Sequence, residues 1–360
     1  MRHNKTDWLL SAPVTPTNPK ANSPLFPYIA RLIRGEDLSA TEAAKFFRIL
    51  TDMRHGSIQI AGAITALTAK GETADELAGM ASVMREQAIK IKASQKNAVD
   101  ITGTGSSSAK TFNVSTAAAI VAAGAGLMIA KQSNRGVTSL TGSADVLGEL
   151  GVKVAGEPEI AQASLNGVGL CFLFAPKFHP TLRRVGEVRR ALGIRTCLNL
   201  LGVIANPAVT RQVVGVWHYS LVAPVANALA MLKTERAWVL HGADGMDEIT
   251  IAGETHVVEV LGAQTRQFKL TPKDFGLKAG PTTALKAQTA KESAAIIRDV
   301  LASKRRDEAR SIVVMNAAAA LVIGGVAKDP LHEARLAEQS IDSGQAQNKL
   351  DRLIQITNKK

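Results

Sequence analysis

The chain is poor in aromatic residues and nearly without cysteine: Phe, Tyr and Trp make up 4% of its 360 positions, and the two cysteines are Cys171 and Cys197. Scarce rings argue against a protein that reads single-stranded nucleic acid by stacking bases. Abundant Ala and 29 glycines point instead to tightly packed helices and close backbone approaches. Neither cysteine stands at a metal-binding or CxxC spacing, so both are expected to be buried thiols in a reducing compartment. Long hydrophobic runs are also missing. The longest, "STAAAIVAAGAGLMIA", falls short of the roughly 18 apolar residues that suggest a membrane span and reads as a buried helix leading into a strand. The start, "MRHNKTDWLL", has no apolar segment of signal-peptide type, and "SAPVTPTNPKANSP" reads as a mobile Pro-rich arm over residues 1–24. A cytoplasmic address is expected.

Acidic residues are in deficit, 31 against 43 basic ones, for a net charge of +12. Such an excess suits a surface that attracts polyanions, or a site for a small, highly charged phosphate ester. The run "KRRDEAR" has interspersed acids and reads as a solvated helical face.

Residues 25–93 carry helical periodicity throughout, in "TEAAKFFRILTDM", "IQIAGAITALTAKG" and "TADELAGMASVMREQAIKI", with Thr41, Ser57 and Thr73 as candidate N-caps. From residue 98 the texture changes to β-type runs alternating with Ala-rich helices: "AVDITG", "GLMIA", "KVA", "LCFLFAP", "RQVVGVW", "AWVLHGADG" and "HVVEVLG". The fold expected is α/β. A small all-helical N-terminal domain, 25–93, completed by helices around 185–210, precedes a larger α/β domain, 94–358, whose mostly parallel central sheet is flanked by helices. Ligands of such sheets bind beyond the carboxyl ends of the strands, and no repeat of 20 to 50 residues is found.

The stretch "DITGTGSSSAKTFNVST" combines turn glycines, three hydroxyls and a lysine before a helix. It is not a P-loop, because aligning Lys110 with the P-loop lysine puts Thr104 and Ala109 at the required glycines. A Rossmann fingerprint fails too, with Ser108 at the third glycine. What remains is a strand end where Gly103 and Gly105 let backbone amides reach an anion, followed by a helix N-terminus that favours negative charge. A ligand-free Gly/Ser turn is the alternative reading of this loop alone. Adjacent acids such as Asp247 and Glu248 in "DGMDEIT" are more often solvated surface than a metal site.

Together with "AKQSNRGVTSLTGSADVLGELGV", "FLFAPKFHPTLRRVGEVRRALGIRTCLNLLGVIANP", "DGMDEIT" and "MNAAAALVIGG", the loop stands in the order and spacing of the anthranilate phosphoribosyltransferases, which the chain resembles from about residue 26 to 358. The resemblance implies a homodimeric enzyme, joined through the helical domain, whose two domains clamp phosphoribosyl pyrophosphate (PRPP) and Mg²⁺. It implies that the amine of anthranilate attacks the anomeric carbon of the ribose while pyrophosphate leaves, a step of tryptophan synthesis. By the same resemblance Gly103, Thr104, Gly105, Ser106, Ser107, Thr111, Asn113, Ser115, Thr116, Lys131 and Ser139 would bind PRPP. Gly103, Asn134, His179 and Arg189 would face the acceptor, with Arg135 beside Asn134 and Thr138 beside Ser139. Asp247 and Glu248, with Ser115, would hold the metal.

The chain departs from the family's pattern where the ligands meet. Ser106 and Ser107 replace the Gly-Asp of GTGGD, Gln132 and Ser133 replace the His-Gly of KHGNR, Val203 replaces the proline of LGPLxNP, and Ala287-Gln288 replace a glycine pair. Two alternatives to the anthranilate enzyme therefore stand at this point: a paralogue of the same fold acting on another aromatic amine or a nucleobase, and a non-catalytic relative that binds nucleic acid.

Overall fold

The computed structural model describes residues 23–359 apart from 53, 55, 95, 96, 106–109, 137–140, 327 and 328. The expected arm up to residue 22, and Ser106, Ser107, Ser108, Thr138 and Ser139 of the expected ligand loops, lie outside the described residues.

Four helices open the described chain: α1 (Phe26–Ile33), α2 (Ala40–Leu50), α3 (Ser57–Lys70) and α4 (Ala74–Gln87). The start of α2 is set by Ser39 and not by the expected Thr41, because Ser39-x-x-Glu42 closes a reciprocal capping box, whereas Thr41 has Ala44 three residues on. Thr73 caps α4 in the same way with Glu76. Ser57 is the first residue of α3, and its cap position is Gly56. At Gly79 of α4, an added Cβ would stand 2.2 Å from the Ala40 carbonyl oxygen, so only glycine lets α2 and α4 approach this closely.

The remaining elements alternate strand and helix: β1 (Val99–Gly103), α5 (Val114–Gly124), β2 (Ile129–Ser133), α6 (Ser143–Glu149), α7 (Pro158–Val168), β3 (Leu170–Phe174) and α8 (Ala175–Phe178). Two helices that return to the N-terminal bundle follow, α9 (Arg183–Leu192) and α10 (Cys197–Ile204). Next come β4 (Arg211–Gly215), α11 (Val222–Met231), β5 (Arg236–Gly242), β6 (Thr255–Leu261) and β7 (Gln264–Leu270). The chain closes with α12 (Ala290–Leu301), α13 (Glu308–Gly324), α14 (Pro330–Asp342) and α15 (Gln345–Thr357).

The sheet runs β3-β2-β1-β4-β5-β6-β7. Its first five strands are parallel, and β6 and β7 add antiparallel. Both faces are apolar, and the period of two sends alternate residues to different cores. Val213, Trp238, Leu240 and Val257 pack with α5 and α13. Val214, Val239, Val258 and Val260 pack with α4, α10 and α11. The four N-terminal helices thus share one core with α9, α10, α11 and one face of the sheet. Helix α13, "EARSIVVMNAAAALVIG", is buried almost all round.

One expected strand is absent and one strand was not expected. Residues 153–155, "KVA", form no strand and lie in the connection between α6 and α7. Strand β7 has no counterpart in the sequence reading, because "QTRQFKL" is an exposed edge whose side chains show little apolar alternation.

Strand order places the switch point between β1 and β4, where successive crossovers leave in opposite directions along the sheet. That geometry puts a crevice beyond Gly103 and Gly215. Close packing elsewhere tolerates little: a Cβ on Gly124 would lie 2.2 Å from Ser340 Oγ and 2.7 Å from the Ala346 nitrogen. Gly124→Ala is therefore expected to lower the urea midpoint, by about 1–3 kcal/mol of stability, although alanine is the better helix former.

Candidate active site

A cavity of about 1190 Å³ opens beyond the switch point, between the strand ends and helices α9 and α10. Its floor is one contact between distant segments. The Gly105 amide, at φ +68°, donates to Asp247 Oδ2 at 2.8 Å. Glycine at 103 and 215 makes this possible, since a Cβ on Gly103 would be 2.5 Å from Asp247 Oδ2 and one on Gly215 would be 1.7 Å from the Asp247 carbonyl oxygen. Thr104 N donates to the Gly215 carbonyl at 2.9 Å, closing the same junction. Beneath it, Asn316 of α13 exchanges hydrogen bonds with both backbone groups of Ile249, at 3.0 and 3.1 Å, and so anchors the turn that carries the two acids.

Burial pushes both neighbouring carboxyls up from the ordinary range. The Gly105 amide opposes this at Asp247, whereas the Asp247 charge adds to it at Glu248. Glu248 Oε2 is buried without a hydrogen-bond partner. Lys131, buried on β2, donates to the Ile101 carbonyl at 2.7 Å, and burial pulls its ammonium down to about 8 despite the fields of Asp100, Glu248 and Asp247. Two adjacent acids short of positive charge, with oxygen donors only, fit a hard divalent cation that keeps waters and ligand oxygens in its shell. No cluster of three or more His, Cys, Asp or Glu able to hold a metal occurs among the described residues.

Of the residues expected to bind the donor, Gly103, Thr104, Gly105, Thr111, Asn113, Ser115 and Lys131 line the cavity. Thr116 does not. It is fully buried, because one step along α5 turns its side chain about 100° away from Ser115 and into the core. Two further expectations need adjustment. The Gly105 amide is engaged by Asp247 and is not free for an anion. Asn113 Oδ1 accepts from Ser293 Oγ at 3.1 Å and Thr141 Oγ1 at 3.3 Å, which ties the start of α5 to α12. Lys110 lines the cavity from a left-handed backbone conformation, φ +48°, that a lysine adopts at some cost.

The residues expected to meet the acceptor, Asn134, His179 and Arg189, line the same cavity. Arg189 is half-buried with its Nε unpartnered, and burial lowers its guanidinium below the usual range. His179 is 3% exposed, and burial pulls its imidazole down to about 4, opposed by the Met84 backbone. Nδ1 nevertheless finds no partner of good hydrogen-bond geometry. Nε2 lies 3.4 Å from Gln132 Nε2. Val203, Ala287 and Ser133, three of the departures from the resembled pattern, also line the cavity.

The sequence reading missed three supports of this site. Asp100 is fully buried and binds Thr102 Oγ1 at 2.5 Å, Asn206 Nδ2 at 2.8 Å and the Gln132 amide at 3.2 Å, so one carboxylate fixes β1, β2 and the turn after α10. Gly215 carried a legible signal, a glycine inside a strand pattern, which marks close backbone approach. Asn316 had none.

Comparison with known proteins follows the same division of the chain. Residues 26–88 match the glycosyl transferase family, helical bundle domain, and residues 95–347 the glycosyl transferase family, a/b domain. The chain is 42% identical over 331 residues, 92% of its length and 98% of the relative's, to an anthranilate phosphoribosyltransferase of Clostridium kluyveri. To that of Chloroflexus aggregans it is 44% identical, over 91% and 97% of the two chains. Among solved structures, anthranilate phosphoribosyltransferase from Thermus thermophilus superposes with a TM-score of 0.85 at 37% identity, covering 92% of this chain and 99% of that one. The Saccharomyces cerevisiae enzyme in complex with PRPP and Mg superposes at 0.84 and 26% identity, over 94% and 98%.

His179 generates a pH prediction. Its folded value near 4 lies below the ordinary 6.5, so the unfolded chain binds the proton more readily. Stability should fall as pH drops through that window, by up to about 3 kcal/mol, and be unaffected by this residue above it. Urea unfolding of wild type and His179→Gln between pH 4 and 7 measures it, and the variant is expected to show a flatter slope.

Proposed function

The chain belongs to the glycosyl transferase family that joins a helical bundle domain to an a/b domain, and from that premise we propose that it transfers the phosphoribosyl group of PRPP to the amine of anthranilate. The observation that carries this reading is one cavity lined both by the junction of Gly105 with Asp247 and by Arg189, whose Nε is unpartnered. A sugar diphosphate suits the first and an aromatic carboxylate the second.

In this reaction the amine nitrogen forms a bond to the anomeric carbon, the bond from that carbon to the diphosphate oxygen breaks with its electron pair, and the amine gives up a proton. Little covalent work falls to the protein; positioning and charge do most of it. The 103–105 turn walls the diphosphate site at the switch point, with Thr104 Oγ1 buried and unpartnered, and the first turn of α5 with Ser115, together with Lys131, holds the diphosphate there. Asp247 and Glu248 would hold Mg²⁺, with the Ser115 hydroxyl at the helix start. The ion, when bound, supplies positive charge to the leaving pyrophosphate. Arg189 takes the anthranilate carboxylate, a planar bidentate match.

We further propose a homodimer joined through the helical bundle, where Ile33 and Ile58 are 47% and 86% exposed. A cytoplasmic location is in keeping with two buried free thiols. No helix among the described residues is long and apolar enough to cross a membrane.

Purified protein is expected to consume anthranilate fluorescence only when PRPP and Mg²⁺ are both present. Unchanged fluorescence contradicts the proposal. Arg189→Ala should raise the acceptor KM about tenfold or more with a smaller change in kcat, as loss of ground-state binding predicts. Ile58→Asp should shift the mass seen by light scattering from dimer to monomer.

A further inference from the structure

The loop from Gly103 to Asn113 carries one charged side chain, Lys110. Ser106 and Ser107 stand where the resembled pattern has Gly-Asp, so no acid within the loop offsets that lysine. Lys110 is exposed and lines the cavity, and among the described residues no carboxylate pairs with its ammonium. Its backbone lies in the left-handed region, φ +48°, where a residue with a Cβ is strained and glycine is not. The segment before α12 holds this conformation in place. Ala287 N donates to the Lys110 carbonyl at 3.3 Å, Thr111 bridges Lys286, and Phe112 N donates to the Leu285 carbonyl at 2.7 Å. Thr104, 8% exposed near the start of the same loop, lines the same cavity with its Oγ1 buried and unpartnered. A cation and a hydroxyl left over in one loop mark a place for an anion.

Resting on the transfer reading above, we propose that Lys110 is a further donor-binding residue of this chain, its ammonium pairing with the diphosphate of PRPP. Glycine would take the backbone conformation at 110 without strain, and it would bring no charge. A lysine kept there at the expense of the fold is accounted for by a contact that only the ligand completes. The pairing with residues 285–287 matters for the same reason. It fixes the direction in which the loop leaves the cavity wall, with Phe112, 1% exposed, anchored beside it in the core. The lysine therefore meets the diphosphate as a point charge on a backbone already set, which lowers the ordering cost of binding. Lys131 does not serve in its place, because that side chain is buried and donates to the Ile101 carbonyl.

The test compares wild type with Lys110→Gly, Lys110→Gln and Lys110→Arg by calorimetric titration of PRPP and of inorganic pyrophosphate at one fixed Mg²⁺ concentration, and by urea unfolding. Lys110→Gly is expected to unfold at a urea concentration equal to or above that of wild type, since glycine relieves the left-handed strain. The same variant, and Lys110→Gln, should bind both PRPP and pyrophosphate about tenfold or more weakly, with the KM for anthranilate at saturating PRPP within about twofold of wild type. Lys110→Arg, which keeps the charge, should bind both ligands within about threefold of wild type. Gly and Gln variants that bind PRPP like wild type overturn the inference and leave the transfer reading intact. So does an Arg variant weakened as much as the other two, or a Gly variant less stable than wild type. A wild-type protein that binds neither PRPP nor pyrophosphate overturns the transfer reading and this inference with it.

Discussion

A single hydrogen bond, from the Gly105 amide to the Asp247 carboxylate, joins residues 142 positions apart, and the organisation of the site depends on it. It can form only because the sheet delivers β1, β4 and β5 side by side and because Gly103 and Gly215 leave no Cβ in its way. Around it the protein gathers incompatible charges: two acids pushed toward neutrality by burial, a lysine pulled toward neutrality by the same burial, and an asparagine from the central helix that fixes the turn. Such an arrangement is costly in an unliganded fold, and a cation and a polyanion bound together would relieve it.

In the proposed reading the walls of the cavity divide the chemistry. Diphosphate and metal would take the strand ends, which the packed α/β core carries. The aromatic acceptor would take the side formed by α9, α10 and His179, where α9 and α10 share a core with the N-terminal bundle. Arg189 stands on a helix that returns to the bundle, so an acceptor held by it would be placed by the relation between the helical unit and the sheet.

Much of this was legible in the sequence because backbone geometry speaks through glycine and periodicity. Glycines 103 and 105, the β-type runs and the acid pair are local patterns, and the resemblance to the anthranilate phosphoribosyltransferases supplied their order. Other features were not local. Thr116 looks like its neighbour Ser115 in sequence, yet the helical turn buries it. Ser39 displaced Thr41 as a cap because the partner glutamate lies three residues from one and not the other. Strand β7 is held by pairing with β6 and not by an apolar face. The Gln132 and His179 pair spans 47 positions and exists only once β2 and the segment after β3 are brought together.

The central claim is that the 103–105 turn and the 247–248 acids surround one ligand. Calorimetric titration of PRPP into wild type and Asp247→Asn, each with and without Mg²⁺, tests it most directly. The account predicts that Mg²⁺ tightens binding to wild type about tenfold or more and that Asp247→Asn loses this enhancement. Equal affinity with and without Mg²⁺ in wild type, or an undiminished enhancement in the variant, contradicts it.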